Sequence, residues 1–97
     1  MIVVVWRYRV APGKAATFEA VYGPEGPWAQ LFSESPDYEG TELLRGEDGA
    51  WMTLDRWMTA DAYDSFITLH RSEYARIDEE CAGLTEEEAL VGRFEAV

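Results

Sequence analysis

"AWMTLDRWMTADAYDSFITLHRSEY", residues 50–74, changes its hydrophobic period at Thr59. The stretch before it, AWMTLDRWM (50–58), reads as an extended strand, rich in aromatic and apolar residues. After it, Tyr63, Phe66, Ile67 and His70 recur at the three- and four-residue spacing that gathers side chains on one helical face. Thr59 suits the N-cap, and Asp61 brings a negative charge to the positive end of the helix dipole. A strand therefore passes into a helix with almost no loop.

Working upstream, GTELLRG (40–46) is a second extended candidate, and Glu47-Asp48-Gly49 between the two reads as a hairpin turn. Ser35-Pro36-Asp37 marks a turn before it. Phe18, Val21 and Tyr22, then Trp28, Leu31 and Phe32, form a helical stripe over 14–34, broken by Gly23-Pro24-Glu25-Gly26-Pro27, with Pro27 suited to the first turn of the second piece. At the start, Ile2, Val4, Trp6, Tyr8 and Val10 alternate with Val3, Val5, Arg7 and Arg9, and Ala11-Pro12-Gly13 ends the run. Downstream of the opening stretch, Tyr74, Ile77 and Cys81 continue the helix past a kink near Arg71-Ser72, and Gly83 is the natural stop. Residues 88–96 alternate again, with Leu90, Phe94 and Ala96 expected on one face.

The element order is βαββαβ in a chain of 97 residues. It predicts one α+β domain spanning 1–97: a ferredoxin-like four-stranded antiparallel sheet with its helices on one face. Val3 and Val5 on the other face are too apolar to be left in water, so a homodimer that packs two such faces is expected. Arg7, Arg9 and Arg93 are assigned to that face, with Glu95 or Asp55 as their carboxylate partners.

Nineteen acids against eight bases leave a net charge of −11, which repels nucleic-acid phosphates and anionic lipid. Neither nucleic acid nor membrane is an expected partner. MIVVVWRYRV lacks the basic leader and cleavage motif of a signal peptide and is too short an apolar run to span a bilayer. With Cys81 the only cysteine, no internal disulfide can form, and a reducing cytoplasm is the expected compartment. The acidic runs Asp78-Glu79-Glu80 and Glu86-Glu87-Glu88 have no His or Cys spacing around them and read as solvated charge, so no metal is expected. The Gly/Pro break lacks the Lys-Ser/Thr of a phosphate loop.

Three stretches carry a resemblance that covers nearly the whole chain: VAPGKAATFEAVY after the first strand, PDYEGTELLRG after the broken helix, and RWMTADAYDSFITLHRSEY. In type and spacing they resemble the antibiotic biosynthesis monooxygenase family of dimeric α+β barrel proteins. The resemblance implies a pocket between sheet and helices in each protomer, where cofactor-independent oxygenases of the family hold phenolic polycyclic substrates and haem-degrading relatives hold haem. Trp6, Tyr8, Phe18, Tyr22, Trp28, Phe32, Trp57 and Phe66 are the residues expected to line it, beside Tyr63 and His70; Trp51 joins if the third strand turns that way.

The cofactor-independent chemistry that the resemblance implies needs a base to generate an electron-rich phenolate or enolate, and a site that excludes water. His70 is the side chain whose ordinary pKa suits that base, and Tyr63, Tyr22 or Tyr8 could orient a phenolic oxygen by hydrogen bonding. The plain alternative is that His70 caps or packs a helix end and the aromatic stripe is core. The haem-degrading branch transfers less well. Trp6 stands where that branch has an Asn, Phe66 near its Trp, and Tyr74 or Ile77 in the region of its axial His, with His70 about one turn early. Two classes remain: a cofactor-independent monooxygenase acting on a small aromatic or quinone-like molecule, and a non-catalytic ligand-binding or interaction protein on the same scaffold.

Overall fold

The first strand, β1 (Ile2–Val10), has apolar residues on both faces and occupies an inner position of the sheet. In the computed structural model, which describes residues 1–97, it is followed by α1 (Ala15–Tyr22), α2 (Pro27–Phe32), β2 (Tyr38–Arg45), β3 (Ala50–Trp57), α3 (Ala60–Leu69), α4 (Arg71–Glu80) and β4 (Thr85–Glu95). The strands lie in the order β2-β3-β1-β4, all neighbours antiparallel. This is the ferredoxin-like α+β arrangement. No helix is long and apolar enough to cross a membrane.

Local chemistry accounts for the joints. Gly49 closes the β2–β3 hairpin with φ +83°, a left-handed conformation costly for residues with a Cβ, while the Asp48 carboxylate accepts from the Ala50 N–H at 3.0 Å. Pro27 opens α2 in its first turn, where no donor is missed. Thr59 caps α3, its Oγ1 accepting from the Ala62 N–H at 3.1 Å. The long second helix breaks at His70 (φ −110°, ψ 25°), one residue before the expected kink. α4 ends at Glu80, three residues short of Gly83.

Twelve buried residues from every layer form the core: Val4, Tyr8, Phe18, Tyr22, Trp28, Leu31, Phe32, Trp51, Trp57, Phe66, Ile77 and Cys81. Its aromatic rings meet mostly edge-to-face; Phe18 and Tyr22 stack at 4.4 Å and Tyr8 packs edgewise on both.

The last strand corrects the sequence reading. β4 begins at Thr85 and carries irregularities that shift its register on β1, so that Trp6 faces Leu90 but Val5 faces Gly92. The extra residue, Val91, reverses the alternation. Leu90 therefore shares the helix-side face with Trp6, whereas Phe94, opposite Val3, lies on the open face, and the two do not share a side. Arg93 moves to the helix side as well, where it forks onto Asp64 of α3 at 3.0 and 3.2 Å.

The open face presents Val3 and Val5 of β1, Met52 and Leu54 of β3, Leu44 of β2 and Phe94 of β4, the last half-exposed. Phe94 lies over Gly92, where a Cβ would come within 3.1 Å of its ring. The arginines of this face have partners within the chain: Arg7 with Asp48 at 3.3 Å, Arg9 with Glu87 at 3.8 Å, and Arg56 with Glu42 at 3.1 Å. Neither Glu95 nor Asp55 serves them.

Candidate functional site

Alternation on β3 places Trp51, Thr53, Asp55 and Trp57 on the helix-side face, a charged residue among aromatics. Above them the helices leave a cavity of about 240 Å³. It is walled by Trp6 and Tyr8 of β1, Tyr22 of α1, Trp28 and Phe32 of α2, Tyr63 of α3 and Tyr74 of α4. Its polar lining comes from Thr41, Thr53, Asp55, Asp78 and Glu88. A mostly aromatic cavity with a few polar groups is the usual form of a small-molecule site.

Asp55 is the buried charge of the site, with 8% of its surface exposed. Thr41 donates to its Oδ1 at 2.6 Å, and the Tyr38 hydroxyl donates in turn to Thr41. No protein group donates to Oδ2. Burial raises its pKa to about 6, against the partial opposition of the Thr41 hydrogen bond. The carboxyl thus exchanges its proton close to neutrality, the range suited to general base work.

The tyrosines stay neutral. Burial drives the hydroxyls of Tyr8, Tyr22, Tyr63 and Tyr74 above their ordinary range. Tyr8 pairs with Thr53 at 3.0 Å and Tyr22 donates to Glu88 at 3.1 Å. For Tyr63 the charge of Asp55 adds to the burial, and Arg93, 5.4 Å from the ring centre, opposes it.

The family model described as antibiotic biosynthesis monooxygenase matches residues 1–72. The chain belongs to that family. No curated protein matches it. Among solved structures it is similar to SnoaB, a cofactor-independent oxygenase from Streptomyces nogalater, at 24% identity and a TM-score of 0.75, covering 99% of this chain and 92% of that one. It is also similar to a point mutant of MhuD with two manganese protoporphyrin IX bound per active site (19% identity, TM-score 0.75, coverage 100% and 95%). Rv0793 from Mycobacterium tuberculosis matches at 13% identity and a TM-score of 0.70, covering 99% and 93%.

Within this family fold, the residues expected at the pocket divide into two groups. Trp6, Tyr8, Tyr22, Trp28, Phe32 and Tyr63 line the cavity. Phe18, Trp57 and Phe66 do not: they sit one layer behind, almost fully enclosed, with Trp57 edge-on to Phe32 and Tyr63. Trp51 is buried in the same way. His70 also lies outside. Its ring stacks on Phe66 at 3.9 Å, Nδ1 donates to the Phe66 carbonyl at 3.0 Å, and Nε2 faces Glu34 of the chain after α2 at 3.9 Å. The turn that breaks the helix at His70 carries its imidazole away from the cavity.

Sequence reasoning missed Asp55 as a site residue, together with Thr41, Thr53, Tyr74, Asp78 and Glu88. For Asp55 the signal was present: two-residue spacing puts it between Thr53 and Trp57, on the face of the tryptophans. Its carboxylate, Asp78 and Glu88 are not grouped so as to hold a metal ion. The lining does not fit haem either. It offers no imidazole, and its tyrosines are held in the neutral form, which disfavours tyrosinate ligation.

Proposed function

We propose that the protein is a cofactor-independent monooxygenase acting on a small phenolic or quinol-like aromatic molecule in this cavity, and that it works as a homodimer joined through the open sheet face. The observation that carries the reading is Asp55: a buried carboxyl on the cavity wall, with a pKa of about 6 and one oxygen free of protein donors. Family membership supports the reaction class.

In this reading Asp55 replaces His70 as the base, and Tyr63 keeps the orienting role. The Asp55 carboxylate takes the phenolic proton, and the resulting phenolate passes an electron to O₂. Radical recombination forms a carbon–oxygen bond to the ring. The O–O bond then breaks, leaving a quinone and releasing the second oxygen atom as water, with the Asp55 proton returned in the process. Neutral tyrosine hydroxyls at Tyr8 and Tyr63 donate to the substrate oxygens. The apolar walls keep bulk water from the reactive intermediates.

The test is oxygen uptake across a panel of phenols and hydroquinones. Turnover is expected with the parent protein and with His70→Ala, and a loss of at least about a hundredfold with Asp55→Asn, the typical worth of a general base. An equally active Asp55→Asn variant, or no oxygen consumption across the panel, refutes the proposal.

A further inference from the structure

The charge of the cavity lining is one-sided. Three carboxylates, Asp55, Asp78 and Glu88, contribute to its wall, and no Lys, Arg or His does. Arg93, whose guanidinium carbon lies 5.4 Å from the centre of the Tyr63 ring, is bound by Asp64.

The acids are also separated along the sheet. Asp55 stands opposite Val4, and Glu88 opposite Tyr8, four residues farther along β1. That is roughly 13 Å at strand rise. Trp6 and Thr53, paired across β1 and β3, fill the row between. Asp78 lies one helical turn beyond Tyr74, whose ring meets Trp28 edge-on at 4.7 Å. Trp28 packs in turn on Tyr22, ring centres 6.3 Å apart, and Tyr22 donates to Glu88, which links Asp78 to the Glu88 end through a chain of contacts.

Electron-rich ring faces beside carboxylates form the environment that favours an organic cation, because the ring quadrupole and the acids attract the same charge. An anion placed there would meet two carboxylates without a compensating cation. We infer that the cavity selects an aromatic ligand bearing a protonated or quaternary amine, its phenolic ring toward Asp55 and its cationic group at the Asp78–Glu88 end. This rests on the same cavity as the proposed reaction and names the class of its ligand. Such a charge pairing also suits the chemistry, since the phenolate formed at Asp55 would share the cavity with the ligand's own cation.

Binding measured by quenching of cavity tryptophan fluorescence tests this without any turnover. The probes share one skeleton: tyramine (cationic), para-propylphenol (neutral) and para-hydroxyphenylpropionate (anionic). Tyramine is expected to bind about tenfold more tightly than the neutral isostere, and the anion more weakly than both. In the double variant Asp78→Asn, Glu88→Gln, tyramine is expected to lose about tenfold while para-propylphenol changes less than about twofold. Both side chains are exposed, and Gln keeps an acceptor for Tyr22, so the fold should persist. The inference is overturned if the anion or the neutral probe binds as tightly as tyramine, if none of the three binds, or if the double variant weakens cation and neutral probe equally. Selective tyramine binding without oxygen uptake in the phenol panel would leave the ligand class standing and sink the oxygenase reading alone. Oxygen uptake without preference for cations would do the reverse.

Discussion

Asp55→Asn should make the protein more stable at neutral pH while removing its proposed activity. The Asp55 carboxyl ionises near about 6 in the fold and near 3.8 in an unfolded chain, because burial penalises the charged form. A folded-state pKa raised in this way means that the native protein binds the proton more tightly. Its contribution to stability is therefore full below about pH 3.8 and is lost as pH rises through about 6. The difference, 6 − 3.8 = 2.2 pH units at about 1.4 kcal/mol each, gives about 3 kcal/mol lost at neutrality. Asparagine has no charge to bury and still offers Oδ1 to the Thr41 hydroxyl, so it avoids most of that loss. For a domain of this size a net gain of roughly 1–3 kcal/mol raises Tm by roughly 5–15 °C. The assay is thermal unfolding of parent and variant at several pH values from about 4 to 8, followed by circular dichroism. Stability of the variant relative to the parent should rise with pH and level off above about 7. In the parent, oxygen uptake should rise through the same window, since the ionised carboxylate is the active form. An Asp55→Asn variant that is destabilised at neutral pH, or a stability difference that stays flat with pH, refutes the reasoning.

Three further outcomes are expected. Trp57→Ala should cost about 3–5 kcal/mol by denaturant titration, since it empties a fully enclosed site among Phe32, Tyr38, Tyr63 and Phe66. Thr59→Ala should cost about 1 kcal/mol in the same assay by removing the acceptor for the Ala62 N–H, and Thr59→Asn should restore most of it. Phe94→Glu should shift sedimentation from dimer to monomer by placing a charge on the open apolar face; a parent that is monomeric at micromolar concentration contradicts the proposed dimer.

The frame of the molecule was legible because its signals are local. Period changes at Thr59, a Gly-containing hairpin turn and the proline break each act within a few residues, and the structure places elements close to where they point. β4 failed this test for a physical reason. A bulge inserts a single residue that leaves no mark in an alternating pattern, yet it moves every later side chain to the other face, as Phe94 and Arg93 show. The candidate site was half legible. Two-residue and helical spacing pointed to six aromatic residues that border the cavity, but spacing cannot distinguish a ring on a cavity wall from one packed behind it, as with Trp57 and Phe66.

His70 and Asp55 show the same division. Composition singled out His70, since an imidazole titrates near neutrality in its ordinary state. Asp55 acquires a comparable pKa only through burial, which depends on groups distant in the chain. The sequence by itself determined the order of elements, the antiparallel sheet, the apolar open face and an aromatic interior, because short-range periodicity and turn chemistry dictate them. Only the tertiary structure decided which side chains border empty space, which carboxyl is desolvated and which way the imidazole turns. These follow from the packing of helices over the sheet, where a break of one residue redirects a side chain and closure of the layers sets the solvation of each charge.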